Sequence, residues 1–122
     1  MAATNPKEWL CIIPDKPNVL ELRESATVPH LENVGKLVTS EKLVLGGAML
    51  KSHPQEGEKW LFEGSVIIVS GETAQEALEI VKNDAYATHG VWDIEKAQII
   101  PFVSAIREPL KNQPAVMEKY LK

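Results

Sequence analysis

Cysteine is all but missing. Cys11 stands alone among 122 residues, which excludes an internal disulfide and fits a reducing, cytoplasmic setting. Set in the apolar run Trp9-Leu10-Cys11-Ile12-Ile13, it reads as a small core hydrophobe, a reactive thiol being the other reading. Clustered basic charge is missing too. Thirteen Lys and Arg against seventeen Asp and Glu leave a net charge of −4, so nothing in the chain marks out a nucleic-acid phosphate backbone as a partner. Long apolar runs are absent: Val66-Ile67-Ile68-Val69 falls far short of the roughly 20 residues a bilayer span needs. The first residues have neither the charged nor the apolar region of a signal peptide, so no membrane partner and an unprocessed chain are expected. His30, His53 and His89 stand at no spacing that converges on one ion, and no Gly-Lys-Ser/Thr follows Gly46-Gly47. No metal and no cofactor are expected; any chemistry falls to ordinary side chains, and the expected partner is a small-molecule substrate.

What is present suffices for one hydrophobic core, since a chain of this length buries roughly two-thirds of its unfolded surface. Proline and glycine punctuate it into short elements. Trp9 to Ile13 reads as a strand, closed by the turn Pro14-Asp15-Lys16-Pro17-Asn18. Leu31, Val34, Leu37 and Val38 form the one-sided stripe of an amphipathic helix. Pro29 lacks an N–H and is best placed in a first helical turn, which puts the helix start near Val28 after a looser turn over Glu21 to Thr27. Lys42 to Leu50 reads as a strand with a bulge or close backbone approach at Gly46-Gly47, and Leu61 to Val69 as the strongest strand. Glu72 to Lys82 is the clearest helix, with Ala74, Ala77, Leu78 and Val81 on one face. Trp92 to Phe102 supplies the last strand. The order predicts an α+β, ferredoxin-like βαββαβ domain over residues 1–103, with a four-stranded antiparallel sheet.

Two helices cover one sheet face. Yet Trp9 to Ile13 and Val66 to Val69 are apolar at both parities, so both faces call for burial, and a homodimer through the sheet faces is expected. Residues 104–122 read as an extension with a short helix carrying Val116, Met117, Tyr120 and Leu121. It packs on its own subunit or reaches over a partner.

Among polar residues, His30 shares the helix face of Val34 and Leu37 and so points inward. It reads either as a satisfied core histidine or as a base kept neutral by a nearby helix N-terminus. Asp84 follows the second helix, where a carboxylate is mildly unfavourable. Either it caps a short turn through Ala85-Tyr86-Ala87, or it orients the His30 imidazole. Tyr86 packs its ring in the core or presents its hydroxyl to a substrate. His89 is a loop residue, solvated or at a pocket mouth; His53 is solvated. Trp60, Phe62 and Trp92 read as sheet-face or interface residues, and Ser65 sits in no nucleophile turn.

Several segments together resemble the YciI-like (YCII-related) family. They are Glu21-Leu22-Arg23 with Pro29-His30-Leu31, Leu43 to Leu50, Gly64 to Val69, and Asn83-Asp84-Ala85-Tyr86 followed by Gly90-Val91. The resemblance spans about Trp9 to Phe102. It implies the dimeric α+β barrel fold, a histidine and aspartate pair that falls on His30 and Asp84, and cofactor-free lyase or isomerase chemistry. Tyr86, Arg23, Gly46, Gly47 and His89 are the expected substrate-binding residues. Ala85 stands where the family usually has proline, and Thr27 or Val28 where it often has arginine, with Arg23 the nearest replacement. The function expected is elimination, dehydration or double-bond isomerisation on a small cyclic or aromatic, carbonyl-activated substrate. The alternative is a non-catalytic small-molecule binding or accessory module of the same fold.

Overall fold

The computed structural model describes residues 6–111. Its elements are β1 (Glu8–Pro14), α1 (Leu20–Thr39), β2 (Leu43–Leu50), β3 (Phe62–Ser70), α2 (Ala74–Lys82), α3 (Ala85–Thr88), a 3₁₀ turn (Ile94–Lys96) and β4 (Gln98–Phe102). The strands form one sheet in the order β2-β3-β1-β4, antiparallel at every junction. This is the α+β, ferredoxin-like arrangement that the order of elements predicts.

Strand residues alternate between faces. Cys11 and Ile13 of β1 and Ile67 and Val69 of β3 share a cluster with Ala26 and Val34 of α1 and Ala77 and Val81 of α2, so both long helices lie on that face. On the opposite face Leu10 stands between Ile68 and Ile100, and Ile12 beside Val66. Leu45 pairs with Ile68 from the edge strand and is 49% exposed. Among the described residues no helix is long and apolar enough to cross a membrane.

Three local expectations are corrected. First, α1 begins at Leu20, not near Val28, and carries Pro29 in its interior. A proline there costs about 3 kcal/mol because the carbonyl one turn earlier, of Ser25, loses its N–H donor. Anchors upstream offset that loss: Ala26 is fully buried and Arg23 nearly so, its guanidinium bound to Asp15 and Ser65. Second, the irregularities of β2 lie between Leu43 and Leu45 and between Met49 and Leu50, on either side of the glycine pair; Gly46 and Gly47 pair regularly with Ile67 and Val66. A Cβ at Gly46 would meet Ile67 at an ordinary 3.6 Å and one at Gly47 would meet nothing within 4 Å. The position where the backbone does come close is Gly64, where a Cβ would collide with the Ile13 carbonyl oxygen. Third, the last strand begins at Gln98, not Trp92. Trp92 makes a single bridge to Asp15 and is buried in the core, neither on an open sheet face nor at an interface. The helix expected around Val116 to Leu121 lies outside the described residues.

Candidate active site

The long α1 carries four polar side chains at Arg23, Thr27, His30 and Asn33, spaced by four, three and three residues. That is the helical period, so all four stand on one face. Facing them is α3, a single turn whose N-cap is Asp84. The tie between the two is short: His30 Nδ1 lies 2.6 Å from Asp84 Oδ2.

Both readings of Asp84 hold at once. Its Oδ2 caps α3 by accepting the Tyr86 N–H at 2.9 Å and also faces the imidazole. Its Oδ1 accepts from the Asn33 amide at 3.1 Å. An ionised carboxylate only accepts, and both of its oxygens take N–H donors here. The ring nitrogen facing it is therefore the donor, and in the neutral imidazole the lone pair is left on Nε2. The Asp84 side chain is 4% exposed and that of His30 13%, so the pair is shielded but His30 is not sealed in.

Aromatic rings hold the imidazole in place. Tyr86 stacks on it with centroids 3.9 Å apart and planes 15° from parallel, and Trp92 meets it edge-on at 5.9 Å. Thr27 gives its one hydroxyl proton to the Arg23 carbonyl, so the contact of 3.0 Å with the Tyr86 hydroxyl has Tyr86 as donor. The phenol proton is thus engaged inside the protein. Behind Tyr86, the Arg23 guanidinium sits 4.6 Å from its ring centroid and 4.9 Å from that of Phe62, an arrangement in which each ring face attracts the cation. Arg23 also binds Asp15 at 2.7 Å and donates to Ser65, which accepts from the Trp92 indole as well. Burial pushes the Asp15 carboxyl up from its ordinary range, against the lowering by Arg23.

The residues expected at the site thus divide. His30, Asp84 and Tyr86 come together. Arg23 joins them, yet it is spent on Asp15 and Ser65, not open to an anion. His89 is exposed at the end of α3, its Nδ1 2.8 Å from the Ala85 carbonyl. Gly46 and Gly47 lie on the edge strand and take no part in the network. The base kept neutral by a helix N-terminus loses its premise, because His30 stands in the middle of α1. Thr27, Asn33, Asp15, Ser65 and Trp92 belong to the network although the sequence reading did not place them there. The period of Arg23, Thr27, His30 and Asn33 would have revealed the α1 set had Pro29 not argued for a later start. An open groove of about 710 Å³ between α1 and α2, lined among others by Asn33, Leu37, Glu76 and Ile80, reaches Asn33 but not His30. No cluster of metal-ligating side chains occurs among the described residues.

The chain is similar to known proteins over most of its length. The family model of the YCII-related domain matches residues 8–103. A fusaric acid biosynthesis protein 2 of Gibberella fujikuroi is 38% identical over 102 residues, covering 84% of this chain and 98% of that protein. An aspartate kinase of Fusarium oxysporum f. sp. lycopersici is 35% identical over 118 residues, 97% of this chain; the match spans only 22% of the kinase. Among solved structures, a 5-chloro-2-hydroxyhydroquinone dehydrochlorinase from Burkholderia phenoliruptrix, in complex with 2,5-dihydroxybenzoquinone, superimposes with a TM-score of 0.67 at 23% identity. The match covers 79% of this chain and 93% of that one, a likeness of fold.

Proposed function

We propose that this chain, which belongs to the YCII-related domain family, catalyses proton transfer on a small cyclic or aromatic, carbonyl-activated substrate, leading to elimination, dehydration or double-bond isomerisation. The observation that carries the reading is the 2.6 Å contact between His30 Nδ1 and Asp84 Oδ2, at an aspartate that also accepts from Asn33 and from the Tyr86 N–H. In this reading Nε2 of His30 takes a proton from the carbon next to the carbonyl. The electron pair flows toward the carbonyl oxygen as an enolate, and Asp84 stabilises the imidazolium that results. Collapse of the enolate then expels a leaving group from the neighbouring carbon, or the proton returns from Nε2 to a different carbon and the double bond has moved. Positioned acid–base groups contribute about 10²–10⁴-fold. The dehydrochlorinase of the same fold supports an elimination on a small cyclic compound, and the relative named for fusaric acid biosynthesis supports a biosynthetic role.

The test is turnover and binding across a panel of lactones, enones and halogenated hydroquinones, with wild type, His30→Ala and Asp84→Asn. Asp84→Asn keeps a cap for α3 and removes the charge. We expect kcat to fall about 100-fold or more in each variant, with the fold intact by circular dichroism. Ligands that bind the wild type without any turnover would point to the binding module in place of the enzyme. The same reading includes a homodimer in which the face bearing Leu10, Ile12, Val66 and Ile68 meets its equivalent in a second copy.

A further inference from the structure

We propose that Asn33 is a positioning residue of the site, holding the plane of the Asp84 carboxylate so that it faces His30 Nδ1; the inference rests on the acid–base reading of the pair. A carboxylate turns about its Cβ–Cγ bond in a broad, two-fold well, so one anchored oxygen does not fix its plane. Oδ2 is held by the Tyr86 N–H. The second anchor is the Asn33 amide on Oδ1, and no other donor reaches Oδ1 among the described residues. Asp84 is 3% exposed, so with Asn33 in place its carboxylate is shielded from water.

The arrangement suits positioning better than a mere tie between helices. His30 and Asn33 are three residues apart on α1, so one helix presents both side-chain partners of the carboxylate, one to each oxygen. Any rotation of Asp84 that weakens the Asn33 bond also misaligns the oxygen facing the imidazole. The amide orientation follows from the chemistry: an acceptor-only carboxylate demands the NH₂ group of Asn33. Substituting aspartate at 33 would set an acceptor of like charge against Oδ1 in the same volume.

The experiment uses the full chain, labelled with ¹⁵N, as wild type, Asn33→Ala and Asn33→Asp. It reads by NMR the exchange of the His30 Nδ1 proton with water and the ring tautomer, at a pH where the imidazole is neutral. In the wild type the proton sits on Nδ1 and exchanges slowly. Loss of a hydrogen bond to a charged group is expected to speed that exchange about tenfold or more in Asn33→Ala, and further in Asn33→Asp, with fewer rings in the Nδ1–H form. Exchange and tautomer unchanged in a folded Asn33→Ala would overturn the role of Asn33 and leave the pair intact. A wild-type ring that carries its proton on Nε2 would overturn the acid–base reading and this inference with it. Should Asn33→Asp fail to fold, Asn33→Ala decides alone.

Discussion

Cys11 shows how far one residue's surroundings set its chemistry. It is fully buried on the helix-covered face of β1, and burial pushes its thiol up to about 11. The thiolate is the reactive form, so a thiol reagent should label this residue only at the rate of unfolding; rapid labelling in native buffer would contradict the burial. The same shift ties stability to pH. The folded state holds the thiol proton more tightly than the unfolded chain, whose thiol titrates near 9. That contribution is complete below about pH 9 and is lost as pH rises toward 11. Denaturant titrations across that window should show a steeper decline for the wild type than for Cys11→Ala. The acid–base pair illustrates the opposite limit of legibility. His30 is identifiable as inward-facing from its helical neighbours, but Asp84 lies 54 positions away; the residues alone left the pairing as one of two readings, and the resemblance to a family chose it.

At the scale of elements, α1 carries the main lesson. Its length contradicts the local rule that a proline starts a helix, because the rule weighs Pro29 against its neighbours in sequence, while Arg23 is anchored by Asp15 at the end of β1 and Ser65 in β3. Breaking such a buried pair costs several kcal/mol, enough to hold the first turns helical past a missing hydrogen bond. Pro29→Ala restores the N–H toward Ser25. The gain is expected to be about 1–3 kcal/mol, below the full cost of an interior proline because the unfolded chain also gains freedom. A rising urea midpoint at constant slope would register it; an unchanged or lower midpoint would mean that the proline relieves some other constraint on α1. By contrast, α2 starts where local chemistry says it should. Thr73 caps it through its hydroxyl on Glu76 N, and Glu76 reaches back to the N–H of Glu72, a version of the reciprocal cap that is readable from sequence.

For the molecule as a whole, the sheet has two apolar faces and its two long helices cover one. The homodimer proposed here makes the second face, with Leu10, Ile12, Val66, Ile68 and Ile100, the core of an interface. A charge placed at its centre should be unpaired and costly once buried. Val66→Asp and Ile12→Lys are each expected to convert a two-chain sedimentation mass to that of one chain, with the far-ultraviolet spectrum retained. A wild type that sediments as a single chain at micromolar concentration would refute the interface.

The order and type of the elements, the apolar character of both strand parities and the amphipathic α2 were determined by the sequence alone, because each depends on periodicity and capping within about a dozen neighbouring residues. Tertiary contact decided the rest. Where α1 begins, which carboxylate meets His30, and why Arg23 reaches Ser65 instead of solvent all depend on partners brought together by the packing of α1 on the sheet and on α3. Energies of that kind come from burial and from donors held on separate elements, and no window of sequence contains them.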